Sequence, residues 1–91
     1  MRKRARVYIS GRVQGVGFRA ETTFRARRIS LKGFVKNLKD GRVEAVFEGD
    51  EEEVDKIVNW CRKGTIFSKV NKVDIIEEEA KGDYEEFKTV Y

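Results

Sequence analysis

The apolar residues of this chain recur at every second position, then at every third or fourth, then at every second again. This switching of period limits the folds open to it. From Arg4 to Ser10, Ala5, Val7 and Ile9 alternate with Arg4, Arg6, Tyr8 and Ser10, the pattern of a half-buried strand. Glycines punctuate Gly11 to Gly17, and a helix is expected from Phe18 to Ile29. Its inner stripe is Phe18, Thr22, Ala26 and Ile29; Phe24 falls off that stripe. Gly33 to Leu38 reads as a second strand, and Asp40-Gly41 marks a hairpin turn, where positive φ is tolerated. Val43, Ala45 and Phe47 then alternate inward as a third strand that Gly49-Asp50 ends. Asp50 with Glu53 forms an N-cap and capping-box pattern. The helix that follows sets Val54, Ile57, Val58 and Cys61 on one face and stops at Gly64. Val70, Val73 and Ile75 suggest a fourth strand, and Tyr84, Phe87 and Val90 a short closing one.

The order is therefore β-α-β-β-α-β with an extra C-terminal strand. In this α+β, ferredoxin-like arrangement both helices cover one face of a mainly antiparallel sheet. Both crossovers are long enough to be helical and should be right-handed. The chain has 91 residues and no repeat or linker, so residues 1–91 are expected to form a single domain with one modest core.

Absences narrow the chemistry. There is no histidine, which removes Ser-His-Asp and Cys-His nucleophile pairs, His metal ligands and the usual neutral-pH acid/base. Cys61, the single cysteine, cannot form an internal disulfide, so a reducing, cytoplasmic setting is expected. Its place on the inner stripe of the second helix, with no base available, makes it a core thiol. No apolar run approaches the roughly 18–20 residues of a membrane span, and no signal peptide follows Met1. Chemistry must rest on Arg, Lys, carboxylates, amides and backbone N–H groups. Glu51-Glu52-Glu53 suits a helix start and Glu77-Glu78-Glu79 a solvated strand end, so no metal is expected. Residues 1–42 carry 13 basic and two acidic groups, a net of +11, whereas residues 43–91 have a net of −7. The first half suits an anion, although interleaved halves could equally give solvated, ion-paired faces. Heavy use of Lys, Glu and Arg with one glutamine points to heat adaptation, and the absence of proline points the other way.

One segment joins the first strand to the first helix: Gly11-Arg12-Val13-Gln14-Gly15-Val16-Gly17-Phe18-Arg19. A glycine loop feeding a helix N-terminus exposes unpaired N–H groups, which favour an anion. Arg19 adds a planar fork matched to phosphate. The glycines alone fit an ordinary βα turn as well. The P-loop pattern is absent. Gly15-Val16-Gly17-Phe18-Arg19-Ala20 satisfies G-x-G-x-x-A after a strand, but a dinucleotide fold needs parallel strands, and this helix leads into a hairpin.

With Gly33-Phe34-Val35-Lys36-Asn37, Gly41-Arg42-Val43, Gly49 and the terminal Phe87-x-Thr89, the same segment resembles the two signatures of the acylphosphatases over nearly the whole chain. The departure is Gly64-Thr65-Ile66-Phe67-Ser68, where that family commonly has a Gly-Pro-rich turn. The resemblance implies hydrolysis of a carboxyl-phosphate anhydride by a monomer that needs no cofactor. It maps the phosphate-binding arginine onto Arg19 and the water-orienting amide onto Asn37. The backbone N–H groups of Gln14, Gly15, Val16, Gly17, Phe18 and Arg19 would form the phosphate cradle. Without the resemblance, Asn37 reads as a strand-end residue bonding its own hairpin.

Two rival functions were weighed. Lys32-Gly33-Phe34 begins like the RNA-binding RNP1 pattern, but Val35 breaks it, the segment lies on the wrong strand, and Glu44 and Glu48 on the third strand would repel a phosphate backbone. A regulatory domain that binds a phosphorylated metabolite without turning it over is the second rival. The expectation is a small-molecule acyl phosphate as partner, with no nucleic acid and no membrane.

Overall fold

Residues 1–91 are described by a computed structural model. The alternation at Ala5, Val7 and Ile9 becomes β1 (Arg2–Arg12), which runs two residues beyond its expected bounds at each end because neighbours pair with it on both sides. Next come α1 (Phe18–Arg28), β2 (Lys32–Asn37), β3 (Val43–Asp50), α2 (Glu51–Lys63), β4 (Lys69–Glu78) and β5 (Phe87–Val90). The sheet order is β4-β1-β3-β2-β5. Its pairs are antiparallel except β2 with β5, which run parallel. Each helical crossover thus skips one strand, the split β-α-β topology of the ferredoxin-like fold.

Ala5, Val7, Ile9, Val35, Val43, Ala45, Phe47 and Phe87 point to the helical face and are buried. Val54, Ile57, Val58 and Cys61 of α2 close over them as their spacing predicts. The first helix departs from its stripe. It ends at Arg28, leaving Ile29 as the C-cap, half-buried against the core. Thr23 is buried as well as Thr22, since Thr22 Oγ1 donates back to the Phe18 carbonyl (2.7 Å) and Thr23 Oγ1 meets Thr89 Oγ1 on β5 (2.6 Å). Two satisfied hydroxyls therefore stand where an apolar stripe was expected. Phe24 is 59% exposed beneath the Arg28 guanidinium, 5.5 Å from ring centre to Cζ. Asp50 takes the N-cap position without the side-chain bond its sequence pattern predicts. The first N–H of α2, that of Glu51, instead donates to the Met1 carbonyl (2.9 Å).

The face away from the helices carries charge in cross-strand register. Arg4 lies between Glu48 on β3 and Glu78 on β4, and Arg6 bridges Glu44 and Glu78. The connector 79–86 crosses this face: the Gly82 N–H donates to Glu48 Oε2 (2.7 Å) and Asp83 pairs with Arg4. Arg4, Glu44 and Glu48 are consequently buried. The Glu77–Glu79 run is not merely a solvated strand end, because Glu77 pairs with Lys3 (3.0 Å) and Glu78 with Arg6 (2.7 Å). Basic first half and acidic second half thus meet across the sheet.

Candidate active site

The loop between β1 and α1 turns on Gly15 (φ 74°) and Gly17 (φ 76°), both left-handed. A Cβ built on either would meet no atom within 4 Å, so the requirement is conformational and not a matter of space. Gly17 occupies the N-cap of α1, and no side chain caps the first-turn N–H groups. Positive-φ glycines followed by an uncapped helix start form a concavity of N–H donors suited to an anion.

This concavity opens into a cavity of about 150 Å³ whose lining includes Gly15, Gly17, Phe18, Arg19, Asn37 and Thr89. That is below the roughly 300 Å³ of a typical ligand pocket, so it suits one phosphoryl-sized group with the remainder of a ligand outside. Arg19 stands on the first turn of α1. Its Nη1 donates to the Val90 carbonyl (3.1 Å), and its guanidinium lies 4.8 Å from the centre of the Tyr91 ring. Both partners are neutral, so neither compensates its charge. Across the cavity, at the end of β2, Asn37 Oδ1 is buried and accepts no hydrogen bond from the protein. Asn37 is therefore not tied to its own hairpin through that oxygen, as an isolated reading of the residue would allow.

The hairpin is bonded by Gln14. Its Nε2 donates to the Leu38 carbonyl (2.8 Å) and the Arg42 carbonyl (2.9 Å), fastening the glycine loop to the turn that carries Asn37. Both side-chain donors of Gln14 are therefore engaged within the protein, and only its backbone N–H is left for a ligand. On the opposite side Thr65 Oγ1 donates to the Val16 carbonyl (3.0 Å). Phe18 anchors the helix start, tilted against Trp60 with ring centres 5.2 Å apart.

Of the residues singled out in the sequence, Gly15, Gly17, Phe18, Arg19 and Asn37 share the cavity wall, whereas Gln14 and Val16 flank it. Sequence reasoning missed Tyr91, which lines the cavity beside Arg19 and carries no signal in its neighbours. Thr89 was visible only as part of the terminal Phe87-x-Thr89. Cys61 is buried in the core, where desolvation pushes its thiol up to about 12, so it supplies no thiolate near neutral pH. No three carboxylate or thiol side chains converge in a way that could hold a metal ion.

An arginine and backbone N–H groups on one side of a small cavity, with a free amide acceptor on the other, can hold a phosphoryl group and present an acceptor to a water. The class is a ferredoxin-like phosphate-binding domain with no ionisable acid or base in its cavity. Within that class, the profile of the acylphosphatase family matches residues 5–89. The chain is 49% identical to an acylphosphatase of Syntrophobacter fumaroxidans over 90 residues, covering 99% of this chain and 93% of that one. It is 55% identical to an acylphosphatase of Rubrobacter xylanophilus over 80 residues, covering 88% and 73%. The crystal structure of the Bacillus subtilis acylphosphatase superposes with a TM-score of 0.93 at 38% identity, covering all of both chains. The chain belongs to the acylphosphatase family.

Proposed function

We propose that Arg19, the backbone N–H groups of residues 14–19 and Asn37 carry the reaction of this acylphosphatase, hydrolysis of an acyl phosphate to a carboxylate and inorganic phosphate, without a metal. The water oxygen bonds to phosphorus as the P–O bond to the acyl group breaks. The bonding pair leaves on the carboxylate, and the water's proton passes to the phosphate. A carboxylate is a weak base and departs without a strong general acid, so a chain with no histidine can run this chemistry. Phosphoryl transfer passes through a loose transition state with charge on the peripheral oxygens, and positioning and electrostatics carry most of the catalysis. Arg19 and the cradle meet those oxygens. Asn37 is neutral at every working pH and acts by aiming the water, not by taking its proton.

The observation that carries this reading is Asn37 Oδ1, a buried acceptor with no protein donor, in the cavity that Arg19 also lines. Leaving a buried acceptor unpaired costs about 1–3 kcal/mol, so its natural partner is a ligand donor such as water. The cavity lining contains no Asp or Glu to ligate a cation.

The experiment is benzoyl phosphate hydrolysis with excess EDTA. Fast turnover unaffected by EDTA, and lost in Arg19→Ala and Asn37→Ala, is expected. EDTA-sensitive turnover would overturn metal independence. Phosphate binding without turnover by the folded wild type would favour the regulatory reading. The same proposal takes residues 1–91 as a single, monomeric, cytoplasmic domain whose heat tolerance comes from its cross-sheet ion pairs. No helix is long and apolar enough to cross a membrane. Against a nucleic-acid partner, β3 sets Glu44 and Glu48 on the face an RNA would need.

A further inference from the structure

The two glycines that shape the cradle also make it soft. Peptide planes beside glycine rotate at little steric cost, and Gly15 and Gly17 have no neighbour that a side chain could wedge against. The loop is held by side chains from outside instead: Gln14 fastens it to the β2–β3 hairpin, and Thr65 to the turn after α2. Thr65 bonds the carbonyl of Val16, which belongs to the same peptide unit as the N–H of Gly17. That peptide is trans, so its C=O and N–H point in opposite directions. Anchoring the oxygen on Thr65 sets the Gly17 N–H facing away from it, and Gly17 lines the cavity that Arg19 shares.

The anchor is itself rigid. The Thr65 carbonyl accepts from the Ser68 N–H (3.1 Å) and Ser68 Oγ (2.9 Å). Gly64, just before it, donates to the Trp60 carbonyl at the end of α2 (2.8 Å). A Cβ on Gly64 would come within 3.0 Å of the Phe18 ring. The turn is therefore seated on the first residue of α1 and reaches the cradle through one hydroxyl.

We propose that Thr65 is a positioning residue for the phosphate cradle: its hydroxyl locks the Val16–Gly17 peptide plane so that the Gly17 N–H is aimed at a bound phosphoryl group. The proposal rests on the reading of residues 14–19 as that cradle, and it adds a control point in the segment that departs from the family's Gly-Pro-rich turn. Thr65→Val keeps the shape and removes the donor; Thr65→Ser restores it.

The test compares wild type, Thr65→Val, Thr65→Ser and Arg19→Ala in benzoyl phosphate hydrolysis, in competitive inhibition by inorganic phosphate, and in amide NMR during a phosphate titration. Thr65→Val is expected to weaken phosphate inhibition and raise KM by about tenfold, the size of one hydrogen bond to a charged group. Thr65→Ser is expected to remain near wild type. In the wild-type spectrum the Gly17 amide proton should move downfield as phosphate binds. A Thr65→Val enzyme with unchanged phosphate inhibition, beside an inactive Arg19→Ala, overturns the role of Thr65 and leaves the cradle standing. A fully active Arg19→Ala overturns the cradle reading itself. If Thr65→Val does not fold, the wild-type titration decides: an Arg19-dependent phosphate complex in which the Gly17 amide does not move overturns the proposal.

Discussion

Arg19 has five N–H donors and uses one on the Val90 carbonyl, leaving the others available to phosphate oxygens. Arg19→Ala is therefore expected to lower kcat/KM for benzoyl phosphate by roughly 10³-fold or more, by analogy with arginine fingers and oxyanion donors. Its melting temperature should hardly change, because the only protein bond lost is a surface one. Arg19→Lys should recover little, since a point charge cannot reproduce a planar fork. Asn37 predicts a different signature. Asn37→Ala removes a buried acceptor that no protein group satisfies, so stability should hold or rise slightly while kcat falls about 10²-fold. Inhibition by inorganic phosphate should persist in Asn37→Ala and vanish in Arg19→Ala. A destabilised Asn37→Ala with normal kcat would assign the amide a structural role. Both residues were legible in the sequence because each stands at the end of a signature. Tyr91 was not: nothing in the local sequence says that the end of the chain returns to the first helix.

At the scale of elements, the glycine in the second signature has a physical reason beyond the motif. Gly33 lies within β2 at φ 134°, where a Cβ would collide with the Val46 carbonyl of β3, while its N–H donates to the Glu86 carbonyl (3.1 Å). Gly33→Ala is expected to destabilise the protein by about 3 kcal/mol, from backbone strain and from displacement of a neighbouring strand. The measurement is the shift in denaturant midpoint. An unchanged midpoint would mean that β2 can slide away from β3. Strand and helix positions were legible wherever one apolar face dominated, as in β1, β3 and α2. They were poorly legible in α1, whose inner face depends on Thr22 and Thr23 finding partners, one of them on a strand more than sixty residues away. Hydrophobic periodicity cannot signal a buried hydroxyl, because its burial depends on an acceptor that only the fold supplies.

For the whole molecule the open face of the sheet is the least foreseeable feature. Burial by itself would raise the pKa of Glu48, but donors from Arg4, Gly82 and Lys81 outweigh it and hold the carboxyl below its ordinary 4.5. A folded-state pKa below the unfolded one gives stability that is present above the unfolded value and lost as pH falls through the folded value. The protein is thus expected to lose stability progressively below about pH 4.5, and Glu48→Gln should flatten that dependence in acid melts. At pH 7 the same substitution should cost about 3 kcal/mol, since it leaves Arg4 buried with one fewer partner. Equal acid slopes for wild type and Glu48→Gln would remove Glu48 from this account. The sequence alone determined the order of elements, the core faces of the main strands and of α2, and the cradle with Arg19 and Asn37, because these follow from local periodicity and short motifs. Only the tertiary structure decided that Glu48 is buried under the 79–86 connector, that Gln14 and Thr65 brace the cradle, and that Val90 and Tyr91 lie against Arg19. Each of these joins residues far apart in the chain, and an ion pair or hydrogen bond across that distance leaves no periodic trace in sequence.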